Sequence, residues 1–127
     1  MVIYMKWNNY ILINFLNIKT MVISKNKYEG NIECLYNSTN IIASKYVTKE
    51  NKLALIFKSG RQYIYSDVSL SDYNKFETSE SQGKTFNTII KKYSYSRVDK
   101  DVDISPLLEQ INKLKEDKWT LKKFLTK

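Results

Sequence analysis

The side chains best suited to binding chemistry are concentrated in one polar turn, residues 79–87. Gly83 allows close approach of the backbone there, and the polar residues around it are Ser81, Gln82, Lys84 and Asn87. The apolar residues Phe86, Ile89, Ile90 and Tyr93 then recur at helical spacing. The turn is therefore predicted to open a helix, whose free N–H groups could receive a phosphate or the polar edge of a nucleotide. The alternative is an ordinary helix start after a loop.

Two arginines supply a second kind of anion-binding group. Arg61 and Arg97 are the only guanidinium groups among 21 basic residues, and a guanidinium can hold a phosphate with two hydrogen bonds. The formal net charge of +8 favours an anionic partner, whether nucleic acid, nucleotide or acidic protein surface. Either arginine could instead pair with Asp67 or Asp99.

A nucleotide-type ligand needs a flat partner for its base and cationic groups for its phosphates. We predict a ligand site formed by Arg61, Gln82, Lys84, Phe86, Asn87 and Arg97. In this site Phe86 or an arginine plane stacks on adenine and Asn87 contacts its edge. The structural alternatives are that Phe86 belongs to the core and that Asn87 bonds the adjoining loop.

The composition excludes several classes of chemistry. There is no histidine, and Cys34 is the single cysteine, which excludes zinc sites, histidine-based acid–base catalysis and an internal disulfide. Without a histidine to activate it, Cys34 is predicted to be a small strand residue and not a nucleophile. We expect a protein that is not an enzyme and needs no cofactor.

The sequence predicts neither a membrane span nor a secretory signal. The longest apolar candidate, residues 10–18, is interrupted by asparagines and is shorter than the roughly 20 residues of a transmembrane helix. The first 20 residues lack the basic start, continuous apolar core and cleavage site of a signal peptide. A cytoplasmic protein is expected.

An antiparallel sheet is predicted for the first half of the chain. Strands are expected at 29–36, 41–47, 53–57 and 62–65, and a tight turn at 58–61 joins the last two. Alternation along the last strand places Tyr63 and Tyr65 on one face and Ile64 on the other. Residues 1–24 suggest a strand pair or an extension that packs on another subunit.

Helices are predicted for most of the second half. Leu70, Tyr73 and Phe76 mark the buried side of a short helix, which Ser69 or Ser71 caps. The helix after the polar turn is expected to end near residues 93–95, which leaves Arg97 in a loop. Ser105 and Pro106 are a typical N-cap and first helical residue of a long final helix.

The chain is long enough for one domain with a single core. We divide it into N-terminal strands or extension (1–35), a core (36–98) and a C-terminal helix (104–126). The apolar seam of that helix is core or subunit contact, and Trp119 and Phe124 lie beside it. A homo-oligomer, with the ligand site near a subunit interface, is therefore expected.

Several linked motifs resemble the KTSC domain. They are Asn37-Ser38-Thr39-Asn40-Ile41, the hairpin from Phe57 to Tyr65 around Gly60, Ser81-Gln82-Gly83-Lys84-Thr85-Phe86-Asn87 and Ile90-Lys91-Lys92-Tyr93. One departure is Ser69, where the family usually has proline. The resemblance implies an α+β fold, in which an antiparallel sheet packs with helices, and the long C-terminal helix is an addition.

A narrower resemblance concerns function. A free-standing KTSC-like core with a long C-terminal helix looks like the phage proteins that disarm the bacterial Thoeris system. That resemblance implies a sponge that captures a cyclic ADP-ribose isomer intact, and in some members cyclic oligonucleotides, in the cytoplasm of an infected or lysogenic host.

Two other functions remain open. The first is a nucleic-acid-binding accessory domain of KTSC type, which the net charge and the lysines of the last helix favour. Those lysines could equally form a solvated face. The other is an enzyme, which is the least favoured of the three functions.

Overall fold

The computed structural model describes residues 21–125, with only the backbone for 118–119, 121–122 and 124–125. The elements in chain order are β1 (Val22–Tyr28), β2 (Asn31–Tyr36), β3 (Ile41–Val47), β4 (Lys52–Phe57), β5 (Gln62–Tyr65), α1 (Leu70–Glu77), α2 (Gln82–Thr85), a π-helix (Phe86–Ile90), β6 (Tyr95–Arg97) and α3 (Ser105–Leu125). The predicted α+β fold with a long C-terminal helix is confirmed. Most of residues 1–24, for which a strand pair or an extension was predicted, lies outside the described residues.

The six strands form one antiparallel sheet in the order β1-β2-β3-β4-β5-β6. The predicted β4–β5 hairpin is present, with Leu53 opposite Tyr65 and Ile56 opposite Gln62. In β3 a bulge places Ile42 and Ala43 on the same face of the sheet. Each face of the sheet is covered by a different part of the chain.

The first face is covered by α1, α2 and the π-helix. Tyr46 and Tyr73 stack there with ring centroids 4.5 Å apart, and the Tyr46 hydroxyl donates a 2.7 Å hydrogen bond to the carbonyl of Val68. Tyr36 meets Phe76 edge to face at 5.6 Å. Because these large side chains are almost fully buried, this layer is the main core of the domain.

The second face is covered by α3. Ile111 is buried against Leu35, Ile42 and Ala43, and the other apolar residues of the helix packed there are Ile104, Leu107, Leu108 and Leu114. This part of the seam is therefore core. No helix of the described residues is long and apolar enough to cross a membrane.

Local caps set the helix boundaries. Ser69 caps α1 by accepting a hydrogen bond from the backbone N–H of Asp72, which was one of two predicted caps. The predicted cap of α3 is one position wrong. Ser105 is the first helical residue, and its N–H donates to the carboxylate of Asp103. The Asp103 side chain thus caps the helix in place of the expected Ser105 side chain, and Pro106 is the second helical residue, not the first.

Candidate functional site

Five aromatic side chains cluster where β5 and β6 form the edge of the sheet. This cluster, which we term the aromatic edge, consists of Phe57, Tyr63, Tyr65, Phe86 and Tyr95. Neighbouring ring centroids are 5.4–6.5 Å apart, within the range at which aromatic pairs attract each other. The cluster grades from buried Tyr65 to Tyr95, which is 62% exposed. The cluster therefore presents exposed aromatic surface that packs on buried aromatic rings.

Strand register positions the tyrosines. In the β5–β6 pair Tyr65 lies opposite Tyr95 and Tyr63 lies opposite Arg97. Since side chains on every second residue share a face, these four residues belong to the same side of the sheet. The prediction that Arg97 lies in a loop is wrong, because Tyr95 and Arg97 continue the sheet as β6. That pairing brings a guanidinium beside two tyrosines.

The polar turn and the helices after it position Phe86. Ser81 caps α2, its hydroxyl accepting a hydrogen bond from the backbone N–H of Lys84. The expected single helix is instead one α-helical turn followed by the π-helix, in which the N–H of Lys91 bonds the carbonyl of Phe86. Half-buried Phe86 packs between Phe57 and Tyr65. Its ring therefore belongs to the core as well as to the aromatic edge.

Gln82 lies inside the protein. Its side chain is completely buried, and its Nε2 donates 3.2 Å hydrogen bonds to the carbonyls of Phe76 and Ser79. It thus satisfies backbone groups at the end of α1 and after it. The side chain holds the polar turn against α1, which removes it from the surface where a ligand would bind.

Lys84 and Asn87 are exposed, as a ligand site requires. They occupy α2 and the start of the π-helix on either side of Phe86 in sequence. Gly83 lies close to Asn40, since a Cβ at Gly83 would be 3.8 Å from the Asn40 side chain. The polar turn thus adjoins the β2–β3 turn.

The two arginines flank the aromatic edge differently. Arg61 is exposed at the β4–β5 turn, and its carbonyl accepts a 2.9 Å hydrogen bond from the N–H of Phe57. Arg97 makes an ion pair with Asp101, not with the predicted Asp67 or Asp99. The structure thus brings Arg97 directly to the aromatic edge, with Arg61 on the turn beside Phe57.

Burial raises the pKa of Tyr65 in the aromatic edge and of Cys34, which lies in β2, away from the cluster. The pKa of Tyr65 is raised to about 12, mainly by desolvation and to a lesser extent by the nearby Tyr63 and Tyr95. The pKa of Cys34 is also raised to about 12, mainly by desolvation and to a lesser extent by the negative charge of Glu77. Cys34 is 3% exposed in β2, so the prediction of a structural cysteine agrees with its environment. Within the described residues no group of three or more acidic or cysteine side chains converges on a metal position.

The sequence interpretation missed Tyr63 and Tyr95 as site residues. The alternation of Tyr93, Tyr95 and Arg97 with serines between them was the signal of a strand. Pairing of that strand with β5 would have placed Tyr95 and Arg97 beside Tyr65 and Tyr63.

Both the fold and a sequence comparison relate this chain to a family of small α+β domains. The KTSC domain pattern matches residues 37–95, which include β3, β4, β5, α1, α2 and the π-helix. This chain therefore contains a KTSC domain. A KTSC domain protein from Yersinia pestis, whose crystal structure is known, has a similar fold: the TM-score is 0.51 at 22% sequence identity, over 54% of this chain and 97% of that one. No curated protein matches the sequence significantly.

Proposed function

We propose that this protein binds a cyclic nucleotide-derived signal of the cyclic ADP-ribose class and holds it without cleaving it. The aromatic edge, with Arg97 at its border, is the observation that carries the proposal. A purine stacks on exposed aromatic side chains, and a diphosphate pairs with guanidinium groups. Tyr95 offers the most exposed ring, and Arg97 lies on the same face of the same strand.

The remaining contacts come from the polar turn. Asn87 presents an exposed amide near Phe86, and Lys84 and Arg61 add exposed positive charge. Gln82 supports the turn from below and does not contact the ligand. The proposed ligand contacts are therefore Arg61, Lys84, Phe86, Asn87 and Arg97, with Tyr63 and Tyr95 added.

The biological setting follows the narrower sequence resemblance. A protein of this kind would act in the cytoplasm of an infected bacterium and withdraw the signal that activates Thoeris immunity. We further propose that the protein is a homo-oligomer in which the ligand lies near a subunit interface. The aromatic edge is suited to this arrangement, because β6 is the last strand of the sheet and all three of its residues are exposed.

Calorimetric titration with a cyclic ADP-ribose isomer tests the proposal. We expect saturation at one ligand per site for the wild type and a loss of about 1–3 kcal/mol for Tyr95→Ala, since stacking on the exposed ring is removed. Tyr28→Ala is the matched control, because Tyr28 is an exposed tyrosine in β1 at the opposite edge of the sheet. Equal affinity of Tyr95→Ala and wild type would exclude stacking on this ring.

Nucleic-acid binding is the second candidate function. Among the described side chains of α3, three lysines are exposed: Lys113, Lys115 and Lys123. A binder of this type would show affinity that rises with oligonucleotide length and falls steeply with salt. A titration with single-stranded RNA of increasing length at two salt concentrations distinguishes this function from capture of one small ligand.

A further inference from the structure

A cavity lies on the other face of the sheet, under α3. Its volume is about 690 Å³, within the range of small-molecule sites in proteins. The short side chains of Ala43 and Ala54 lie on the sheet side, and Leu107 and Leu114 line it from the helix. Because Ala54 is opposite Lys45 and Ala43 is opposite Ile56, the two alanines come from neighbouring strands on one face. The missing side-chain volume at these positions contributes to the space between helix and sheet.

The cavity forms where the KTSC domain meets the segments outside the matched residues. β1, β2 and α3 all lie outside residues 37–95, and all three contribute lining residues. The aromatic edge lies on the opposite face, packed with the helices of the KTSC domain. The cavity is therefore separate from the site of the proposed function.

One end of the cavity carries charged groups. Glu33 and Lys45 lie opposite each other in the β2–β3 pair and both line the space. Glu33 Oε2 accepts a 2.6 Å hydrogen bond from the hydroxyl of Tyr28, whereas the Lys45 ammonium is 3.9 Å from the same oxygen. The carboxylate is thus closely bonded to Tyr28, while the ammonium, beyond hydrogen-bonding distance of Glu33, has donors to offer a ligand.

We propose that this cavity binds a small amphipathic anion, with an apolar body and one carboxylate, sulfonate or phosphate group. The apolar body lies over Ala43 and Ala54, beneath Leu107 and Leu114, and the anionic group contacts Lys45. The formal net charge of +8 favours anionic over cationic ligands for the protein as a whole. Such a site takes an aromatic or short aliphatic acid rather than a strongly polar sugar phosphate.

The first experiment uses 8-anilinonaphthalene-1-sulfonate as the probe with the full-length protein. We expect its fluorescence to rise to saturation at one probe per chain, while the circular dichroism spectrum stays native. Ala54→Phe places a ring in the cavity on a strand position that favours aromatic residues, and should weaken probe binding at least tenfold. Arg97→Ala, on the opposite face, should leave it unchanged. Absence of saturable probe binding by the wild type, or unchanged affinity of a folded Ala54→Phe variant, overturns the proposal.

A second pair of variants tests the charge without altering the cavity floor. Lys45→Met should weaken binding of the sulfonate probe about tenfold but leave the uncharged analogue N-phenyl-1-naphthylamine bound as before. Lys52→Met is the matched control, since Lys52 shares the sheet face and lies outside the cavity. Equal effects of the two substitutions, or equal loss of both probes in Lys45→Met, contradict the assigned role of Lys45. Weakened capture of a cyclic ADP-ribose isomer by Arg97→Ala, with probe binding intact, keeps the two sites distinguishable.

Discussion

Nη2 of Arg97 donates a 3.1 Å hydrogen bond to Oδ1 of Asp101, joining the end of β6 to the loop that leads into α3. The two side chains are 45% and 51% exposed, so water weakens their attraction. Arg97 also faces the same side of the sheet as Tyr63. A phosphate that reaches the aromatic edge must therefore compete with the Asp101 carboxylate for this guanidinium.

This competition predicts opposite effects for the two partners. Arg97→Ala should weaken capture of a cyclic ADP-ribose isomer by about 1–3 kcal/mol, because a charge-assisted contact is lost. Asp101→Asn should strengthen it about two- to tenfold, because the guanidinium is released and a repulsive charge is removed. Calorimetric titration measures both. Asp99→Asn controls for net charge in the same loop, and equal tightening by both asparagine variants would argue against a specific role for the pair.

Gly60 determines the backbone conformation of the β4–β5 turn, next to Arg61. Its φ is +93°, and a Cβ there would lie 2.8 Å from the carbonyl oxygen of Val102. We expect Gly60→Ala to lower the free energy of unfolding by about 2 kcal/mol in urea denaturation. Gly83→Ala is the control, since its Cβ would make ordinary contacts of 3.8 Å or more. A Gly60→Ala variant as stable as the wild type would contradict this account of the turn.

The bond between Tyr93 and Asp72 predicts a pH-dependent contribution to stability. The Tyr93 hydroxyl donates to the Asp72 carboxylate and, with Lys92 as a lesser cause, holds the pKa of Asp72 below its ordinary value of 3.8. The group therefore contributes stability that is present above pH 3.8 and is lost as the pH falls through the lowered pKa.

Tyr93→Phe should thus cost about 1–2 kcal/mol at pH 7 and less at a pH below the lowered pKa of Asp72, because the neutral carboxyl accepts a weaker hydrogen bond. Urea denaturation at the two pH values measures the difference. Tyr95→Phe, which alters an exposed ring at the same end of the sheet, should show no such pH dependence. A constant cost for Tyr93→Phe across this range would contradict the linkage to Asp72.

Cys34 should be unreactive in the native protein. Burial raises the pKa of its thiol to about 12, so almost no thiolate exists at pH 8. We expect negligible reaction with a thiol reagent until denaturant exposes the side chain, after which one equivalent reacts, since Cys34 is the chain's single cysteine. Rapid labelling under native conditions would show that β2 opens readily.

The sequence predicted those parts of the fold that local patterns determine. The β4–β5 hairpin follows from an apolar strand, a glycine turn and alternating tyrosines, and the Ser69 cap follows from a serine three residues before Asp72. The faces of Tyr63 and Tyr65 likewise follow from alternation.

The remaining features depend on tertiary contacts. β6 has only three residues and exists because it pairs with β5, so the sequence placed Arg97 in a loop. Gln82 has a polar side chain in a polar turn, but contacts with Phe76 and Ser79 bury it. The cavity under α3 arises from the placement of a helix distant in sequence from Ala43 and Ala54.

Recovery of the ligand tests the central claim most directly. The wild-type protein is incubated with a cyclic ADP-ribose isomer at a ratio of one per site, separated from free ligand, heated to denature it and filtered. Mass spectrometry of the filtrate should detect the cyclic compound intact and in near-stoichiometric amount. The double variant Tyr95→Ala, Arg97→Ala should release far less. Recovery of a hydrolysed product, or of no ligand from the wild-type protein, would contradict the account.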